Sequence, residues 1–174
     1  LRGTYATTQH AAAYWREQSK AGNQPLASVI NTSSSSGIYG NAGQANYGAA
    51  KAGIAAFSII TAKELVRYGV TVNAIAPGAF TRMTQGLIPD DRAESMSADA
   101  IAPLVVWLGS PEAKDITGRV FNVAGGHISV AEGWVAGPAA DTEGMWETAK
   151  LGSVIPDLVA KARKNSETNG RTPE

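Results

Sequence analysis

The 174-residue chain contains no cysteine, which excludes disulfides and thiolate metal sites. Long hydrophobic runs are also missing. The longest candidate, residues 52–62, is interrupted by Ser58 and Thr61, and a membrane span needs roughly 18 apolar residues. Neither sign of charge is in excess, because 15 basic residues balance 15 acidic ones. We therefore expect neither nucleic acid nor a membrane as the main partner.

Histidine is scarce as well, with only His10 and His127. Neither histidine lies in an acidic cluster, so the sequence predicts no metal site. Hydrophobic residues make up 44% of the chain, which is enough for the packed core of one domain. A chain without cysteine is compatible with a reducing compartment, and we predict a cytoplasmic location.

The hydrophobic pattern predicts helices and strands in alternation. Helices are predicted at residues 4–18, 45–68 and 98–108, strands at 27–33, 70–76 and 120–123, and a glycine-rich loop at 37–43. Such alternation is typical of a parallel sheet covered by helices on both faces. The predicted fold is therefore a doubly wound α/β fold, in which ligands bind beyond the carboxyl ends of the strands.

The composition changes after residue 127, where glycine, alanine and proline become frequent. We predict that residues 1–127 form one unit and that residues 128–163 form a helical extension. Two short helices are predicted in this extension, near 142–150 and 156–163. The polar stretch 164–174 is predicted to be a disordered tail.

Tyr47 and Lys51 lie four residues apart at the start of the second predicted helix, so they share one face of it. An isolated tyrosine titrates at about pH 10, too high for an acid or base at neutral pH. A neighbouring ammonium favours the phenolate and is therefore what a catalytic tyrosine needs. Ser34 stands where the first predicted strand ends, so its hydroxyl is a candidate to hold a substrate oxygen against the phenol.

These residues resemble the active-site segment of the short-chain dehydrogenase/reductase family. The resemblance rests on Ser34, Gly37, Gly40, residues 43–47, Lys51 and the later segment 73–78. A tyrosine and a lysine at this spacing are a weak signal alone, but the serine, the glycine loop and the later segment make the match specific. The resemblance implies a Rossmann-like fold and hydride transfer between a nicotinamide cofactor and a secondary alcohol or ketone.

The resemblance also implies a role for each residue. Tyr47 would exchange a proton with the substrate oxygen, Lys51 would support the phenolate and bind the nicotinamide ribose, and Ser34 would orient the carbonyl. Further cofactor contacts would come from Pro77, Gly78, Ala79, Phe80 and Thr81. The family's usual threonine, five positions after the proline, is replaced here by Arg82.

Two family features have no counterpart in this sequence. One is the glycine-rich turn that binds the cofactor pyrophosphate at a helix start, and the other is an asparagine expected just before Leu1. We therefore expect the chain to be the C-terminal half of a dehydrogenase domain. The choice between NAD and NADP would then depend on the other half; we predict NAD.

Within the family, the chain is most similar to the (3R)-hydroxyacyl-CoA dehydrogenase part of multifunctional β-oxidation enzymes and their bacterial relatives. This similarity rests on residues 29–31, 36–41 and 43–47, and residues 1–4, 82–84 and 102–105 strengthen it. It implies oxidation of a 3-hydroxyacyl-CoA, with an acyl chain or a steroid side chain, by a homodimer or homotetramer. The alternatives are a 3-oxoacyl reductase, a hydroxysteroid dehydrogenase or, in another class, a truncated non-catalytic oligomerisation module.

Overall fold

The computed structural model describes residues 1–173, which form one four-stranded sheet with helices around it. The helices are α1 (Arg2–Lys20), α2 (Ser35–Ile38), α3 (Ala45–Leu65), α4 (Ala102–Leu108) and α5 (Thr148–Lys161). The strands are β1 (Ala27–Thr32), β2 (Val70–Gly78), β3 (Val120–Ala124) and β4 (His127–Val130), and they lie in that order. The first three strands are parallel, and β4 is antiparallel to β3. The predicted α/β fold is confirmed.

The central strand β2 separates two hydrophobic clusters, one on each face of the sheet. On one face, Val70 and Val72 pack with Ala62 and Leu65 of α3. On the other face, a second cluster joins β2, β3 and α4; its buried members are Ile75, Leu104, Leu108, Phe121 and Val123. Successive side chains of a strand point to opposite faces, so β2 is apolar on both. This is the doubly wound arrangement.

The side chain of Asn73 in β2 holds the loop that leads into β3. The Asn73 side chain is only 1% exposed, and its amide donates to the Ile116 carbonyl at 2.7 Å. Its carbonyl oxygen accepts from the Arg119 N–H at 3.0 Å. One buried amide therefore aligns the loop that leads into β3.

Three local predictions were wrong. The predicted loop 37–43 begins inside α2, a single turn that is too short to show a hydrophobic period. The antiparallel strand β4 was missed, because the glycine pair at 125–126 was interpreted as an end and not as a hairpin turn. The two predicted helices of the extension are one helix, α5, which continues through Pro156. Residues 142–147 are not helical, since Gly144 has φ +83°, in the left-handed region.

The C-terminal residues make contacts with the loop that follows α2. The Thr168 hydroxyl donates to the Gly40 carbonyl at 2.7 Å, and the Gly170 backbone packs against the Tyr39 ring.

The predicted disorder of residues 164–174 and the division at residues 127 and 163 stay predictions, and Glu174 lies outside the described residues. Over residues 1–173, no helix combines the length and apolar character needed to cross a membrane.

Candidate active site

The predicted site residues lie at one edge of the sheet. Ser34 follows the end of β1, and Pro77 and Gly78 are the last residues of β2. Because β1, β2 and β3 are parallel, their carboxyl ends meet at the same edge. Tyr47 lies in the first turn of α3, which packs against both β1 and β2. The topology thus places the predicted site residues of three separate segments at one edge of the sheet.

Tyr47 and Lys51 are neighbours on α3, as their spacing predicts. The Lys51 ammonium is 5.7 Å from the centroid of the Tyr47 ring. Tyr47 is 45% exposed, so a substrate has access to its ring and phenol. The Lys51 ammonium also donates to the Thr32 carbonyl at the end of β1, at 2.9 Å. This bond holds the ammonium between the end of β1 and the first turn of α3, which carries Tyr47.

Ser34 is the N-cap of α2, with an extended backbone at φ −161° and ψ 150°. Its side-chain oxygen accepts from the Ser36 N–H at 3.2 Å. In that bond the hydroxyl oxygen is the acceptor, so its own proton stays available for a substrate oxygen. The capping bond therefore orients Ser34 and leaves it able to donate.

A second set of hydrogen bonds ties α2 to the start of α3. The Ser36 hydroxyl donates to the side-chain carbonyl of Gln44 at 2.9 Å, and the Asn41 amide donates to the same oxygen at 3.1 Å. Gln44 is the N-cap residue of α3. The loop between Ser34 and Tyr47 is therefore braced by its own side chains.

Ser33 is a residue whose connection to this site the sequence did not indicate. It is 2% exposed, and its hydroxyl donates to the Lys51 carbonyl at 2.8 Å. The sequence pattern places Ser33 at the end of the predicted strand 27–33. The only signal available was its position next to Ser34 at a strand end, and that position does not specify a partner.

The segment from Ala79 to Thr84, which begins with three of the predicted cofactor contacts, is held in a turn by hydrogen bonds. The Thr84 hydroxyl donates to the Ala79 carbonyl at 2.8 Å and accepts from the Thr81 N–H at 2.7 Å. The Phe80 N–H donates to the Met96 carbonyl at 2.7 Å. Two of the backbone donors in this turn, those of Phe80 and Thr81, are thus already paired within the protein.

The comparison with known proteins decides the family. A family model described as short chain dehydrogenase matches residues 1–92, which is more than half of the chain. This chain belongs to the short-chain dehydrogenase family. The matched residues include Ser34, Tyr47, Lys51 and the end of β2, so the family assignment and the geometry concern the same part of the molecule. The predicted family is confirmed.

Relatives of this short-chain dehydrogenase include hydroxyacyl-CoA dehydrogenase ChsB1 of Mycobacterium tuberculosis, which is 37% identical over all of this chain and 55% of its own length. Peroxisomal multifunctional enzyme type 2 of Mus musculus is 41% identical over 74% of this chain and 16% of its own length. A solved short chain dehydrogenase from Mycobacterium avium has 52% identity and a TM-score of 0.85, covering 95% of this chain and 54% of that one.

This short-chain dehydrogenase chain therefore spans about half the length of the hydroxyacyl-CoA dehydrogenase and of the solved relative that it matches. Over residues 1–173, no group of three or more histidines, cysteines, aspartates and glutamates is arranged to hold a metal ion.

Proposed function

We propose that the protein oxidises a 3-hydroxyacyl-CoA to the 3-oxoacyl-CoA, with NAD as the cofactor. The observation that carries the proposal is the placement of Tyr47, Lys51 and Ser34 at the carboxyl edge of the sheet. The substrate class is supported by relatives named hydroxyacyl-CoA dehydrogenase and multifunctional enzyme type 2. A relative from Vibrio harveyi named 3-oxoacyl-[acyl-carrier-protein] reductase, 46% identical over 59% of this chain, makes reduction of a 3-oxoacyl thioester the second candidate.

The residues present fit a nicotinamide cofactor at the edge of the sheet. The Lys51 ammonium has three donors and uses one for the Thr32 carbonyl, which leaves donors for ribose hydroxyls. Pro77 and Gly78 end β2 at the same edge, and we propose that the segment from Pro77 to Thr81 faces the nicotinamide. The paired N–H groups of Phe80 and Thr81 do not fit that role, so other groups of the segment would make the contact.

In the proposed oxidation, the Tyr47 phenolate takes the proton of the substrate hydroxyl. A bound nicotinamide cofactor supplies the hydride acceptor. Ser34 donates a hydrogen bond to the substrate oxygen and keeps it beside the phenol as that oxygen becomes a carbonyl. The Lys51 ammonium lies beside the Tyr47 ring, 5.7 Å from its centroid, and would donate to the cofactor ribose. We propose that the cofactor pyrophosphate is bound by sequence outside this chain.

The test is turnover by the full-length protein with 3-hydroxyacyl-CoA and either NAD or NADP, followed by the absorbance of the reduced nicotinamide. We expect kcat/KM of at least about 10⁴ M⁻¹s⁻¹ with NAD, within the ordinary range of enzymes. Reduction of a 3-oxoacyl thioester, oxidation of a free hydroxysteroid and oxidation of a simple sugar serve as comparisons. Turnover of a sugar or a free steroid without turnover of 3-hydroxyacyl-CoA contradicts the proposal.

We also propose that the protein is a homodimer or homotetramer that associates through α1 and α3. An open groove between these helices is lined by Arg2, Gly53 and five apolar side chains: Leu1, Tyr5, Ala56, Phe57 and Ile60. Ile60 is 55% exposed and Tyr5 is 49% exposed, which is unusual for large apolar residues in one patch. In the family, the corresponding helices usually pack against their copies in a second subunit.

Replacing Ile60 with glutamate is expected to dissociate this assembly, because it buries a charge in an apolar interface. The measurement is molar mass by light scattering on the full-length protein. Ile60→Met keeps an apolar side chain of similar volume and is the matched control, expected to retain the assembly. An unchanged molar mass for Ile60→Glu contradicts an interface at this groove.

A further inference from the structure

We propose that Ser33 is a positioning residue that fixes Lys51 relative to Ser34. The inference rests on the function proposed for the Tyr47–Lys51 pair. Its starting point is a reciprocal pair of hydrogen bonds. The Ser33 hydroxyl donates to the Lys51 carbonyl at 2.8 Å, and the Lys51 ammonium donates to the Thr32 carbonyl at 2.9 Å. The two residues directly before Ser34 thus bond both the backbone and the side chain of Lys51.

Ser33 is itself held by the centre of the sheet. Its backbone N–H donates to the Ile75 carbonyl of β2 at 2.7 Å, and the residue is 2% exposed. The backbone that carries the Ser33 hydroxyl is therefore fixed, and the hydroxyl has a single acceptor on α3. A lysine side chain is long and flexible, so the position of its ammonium depends on where its backbone begins and on its acceptor. Ser33 fixes the position of the Lys51 backbone, and the Thr32 carbonyl is the acceptor for the Lys51 ammonium.

The same strand-to-helix packing contains a second buried serine that does not contact Lys51. Ser58 is 0% exposed, accepts from the Asn31 amide at 2.9 Å and donates to the Ile54 carbonyl at 2.8 Å. Like Ser33, it links the β1 segment to α3 with one buried hydroxyl. It does so further along α3, away from Tyr47. Ser33 and Ser58 are therefore a matched pair: both hold the helix against the strand, and only Ser33 bonds the candidate catalytic lysine.

The experiment compares Ser33→Ala with Ser58→Ala in the full-length protein. Ser33→Ala loses one buried hydrogen bond and Ser58→Ala loses two, so both variants are expected to lower the melting temperature. Only Ser33→Ala is expected to raise KM for NAD and to lower kcat, each by about tenfold, because small misplacements of a catalytic group have large kinetic effects. KM for the acyl thioester is expected to change little. Ser33→Thr, which keeps the hydroxyl, is expected to recover kcat.

The outcomes separate this inference from the proposed function. If the wild-type protein turns over 3-hydroxyacyl-CoA and the two alanine variants share the same kinetics, Ser33 has only a structural role and the inference is overturned. If the wild-type protein lacks that turnover, the proposed substrate is wrong, and calorimetric titration of both variants with NAD decides the role of Ser33. Weaker NAD binding by Ser33→Ala alone supports it, and equal or absent binding overturns it.

Discussion

Replacing Tyr47 with phenylalanine is expected to reduce kcat by about 10²- to 10⁴-fold, the usual contribution of a positioned acid or base. The substitution removes the only group of Tyr47 that can exchange a proton and leaves the ring beside the Lys51 ammonium. KM for both substrates is expected to change little, because the ring keeps its place. The measurement is kcat of the full-length protein with 3-hydroxyacyl-CoA and saturating NAD.

The matched control is Tyr14→Phe, the same chemical change at a tyrosine of α1 that is 62% exposed. Tyr14 has no role in the proposed mechanism, so its variant is expected to keep wild-type kcat. Both variants are expected to keep the wild-type melting temperature, since the Tyr47 side chain is itself 45% exposed. Activity retained by Tyr47→Phe would remove Tyr47 from the mechanism.

Replacing Gly37 with alanine is expected to lower the free energy of unfolding by about 3 kcal/mol, the upper end of the usual effect of overpacking. A Cβ atom at this position would lie 2.5 Å from the Ala52 nitrogen and 2.7 Å from the Lys51 carbonyl carbon. These are backbone atoms of α3, so no rotamer change relieves the clash and α2 must move away. Because α2 carries Ser34 at its N-cap, kcat is expected to fall as well.

Gly3→Ala is the control for Gly37→Ala. Gly3 lies in α1, and a Cβ atom there would have no neighbour within 4 Å. Alanine is a better helix former than glycine, so no loss of stability is expected. Urea unfolding of both variants, with kcat measured in parallel, makes the comparison. Equal unfolding free energies for Gly37→Ala and the wild type would mean that α2 and α3 are not closely packed at this point.

The sequence predicted well where the signal is local. The spacing of Tyr47 and Lys51 places them on one helix face because the helical period is a property of neighbouring residues. The order of apolar segments predicted the parallel sheet for a similar reason, since a strand buried on both faces is mostly apolar along its length. Local signals failed where they were short or ambiguous. The single turn of α2 has no period, and Pro156 was placed at a helix start although α5 continues through it.

The segment after Pro77 shows the limit of assignment by resemblance. The sequence match assigned cofactor contacts to residues 77–81, yet the Phe80 N–H is paired with the Met96 carbonyl. That bond joins the segment to a residue beyond the next turn, and no pattern around Phe80 indicates it. The cofactor role of this segment therefore stays a proposal.

The alternation of elements, the helix face shared by Tyr47 and Lys51, and the position of Ser34 at a strand end follow from local sequence alone. These are consequences of backbone periodicity and of residue types within a few positions of each other. Only the tertiary structure showed that Ser33 bonds Lys51, 18 positions away, and that Gly37 must lack a side chain to let α2 approach α3. Such contacts arise when segments that are distant in sequence pack together, and a local sequence pattern does not predict which segments do so.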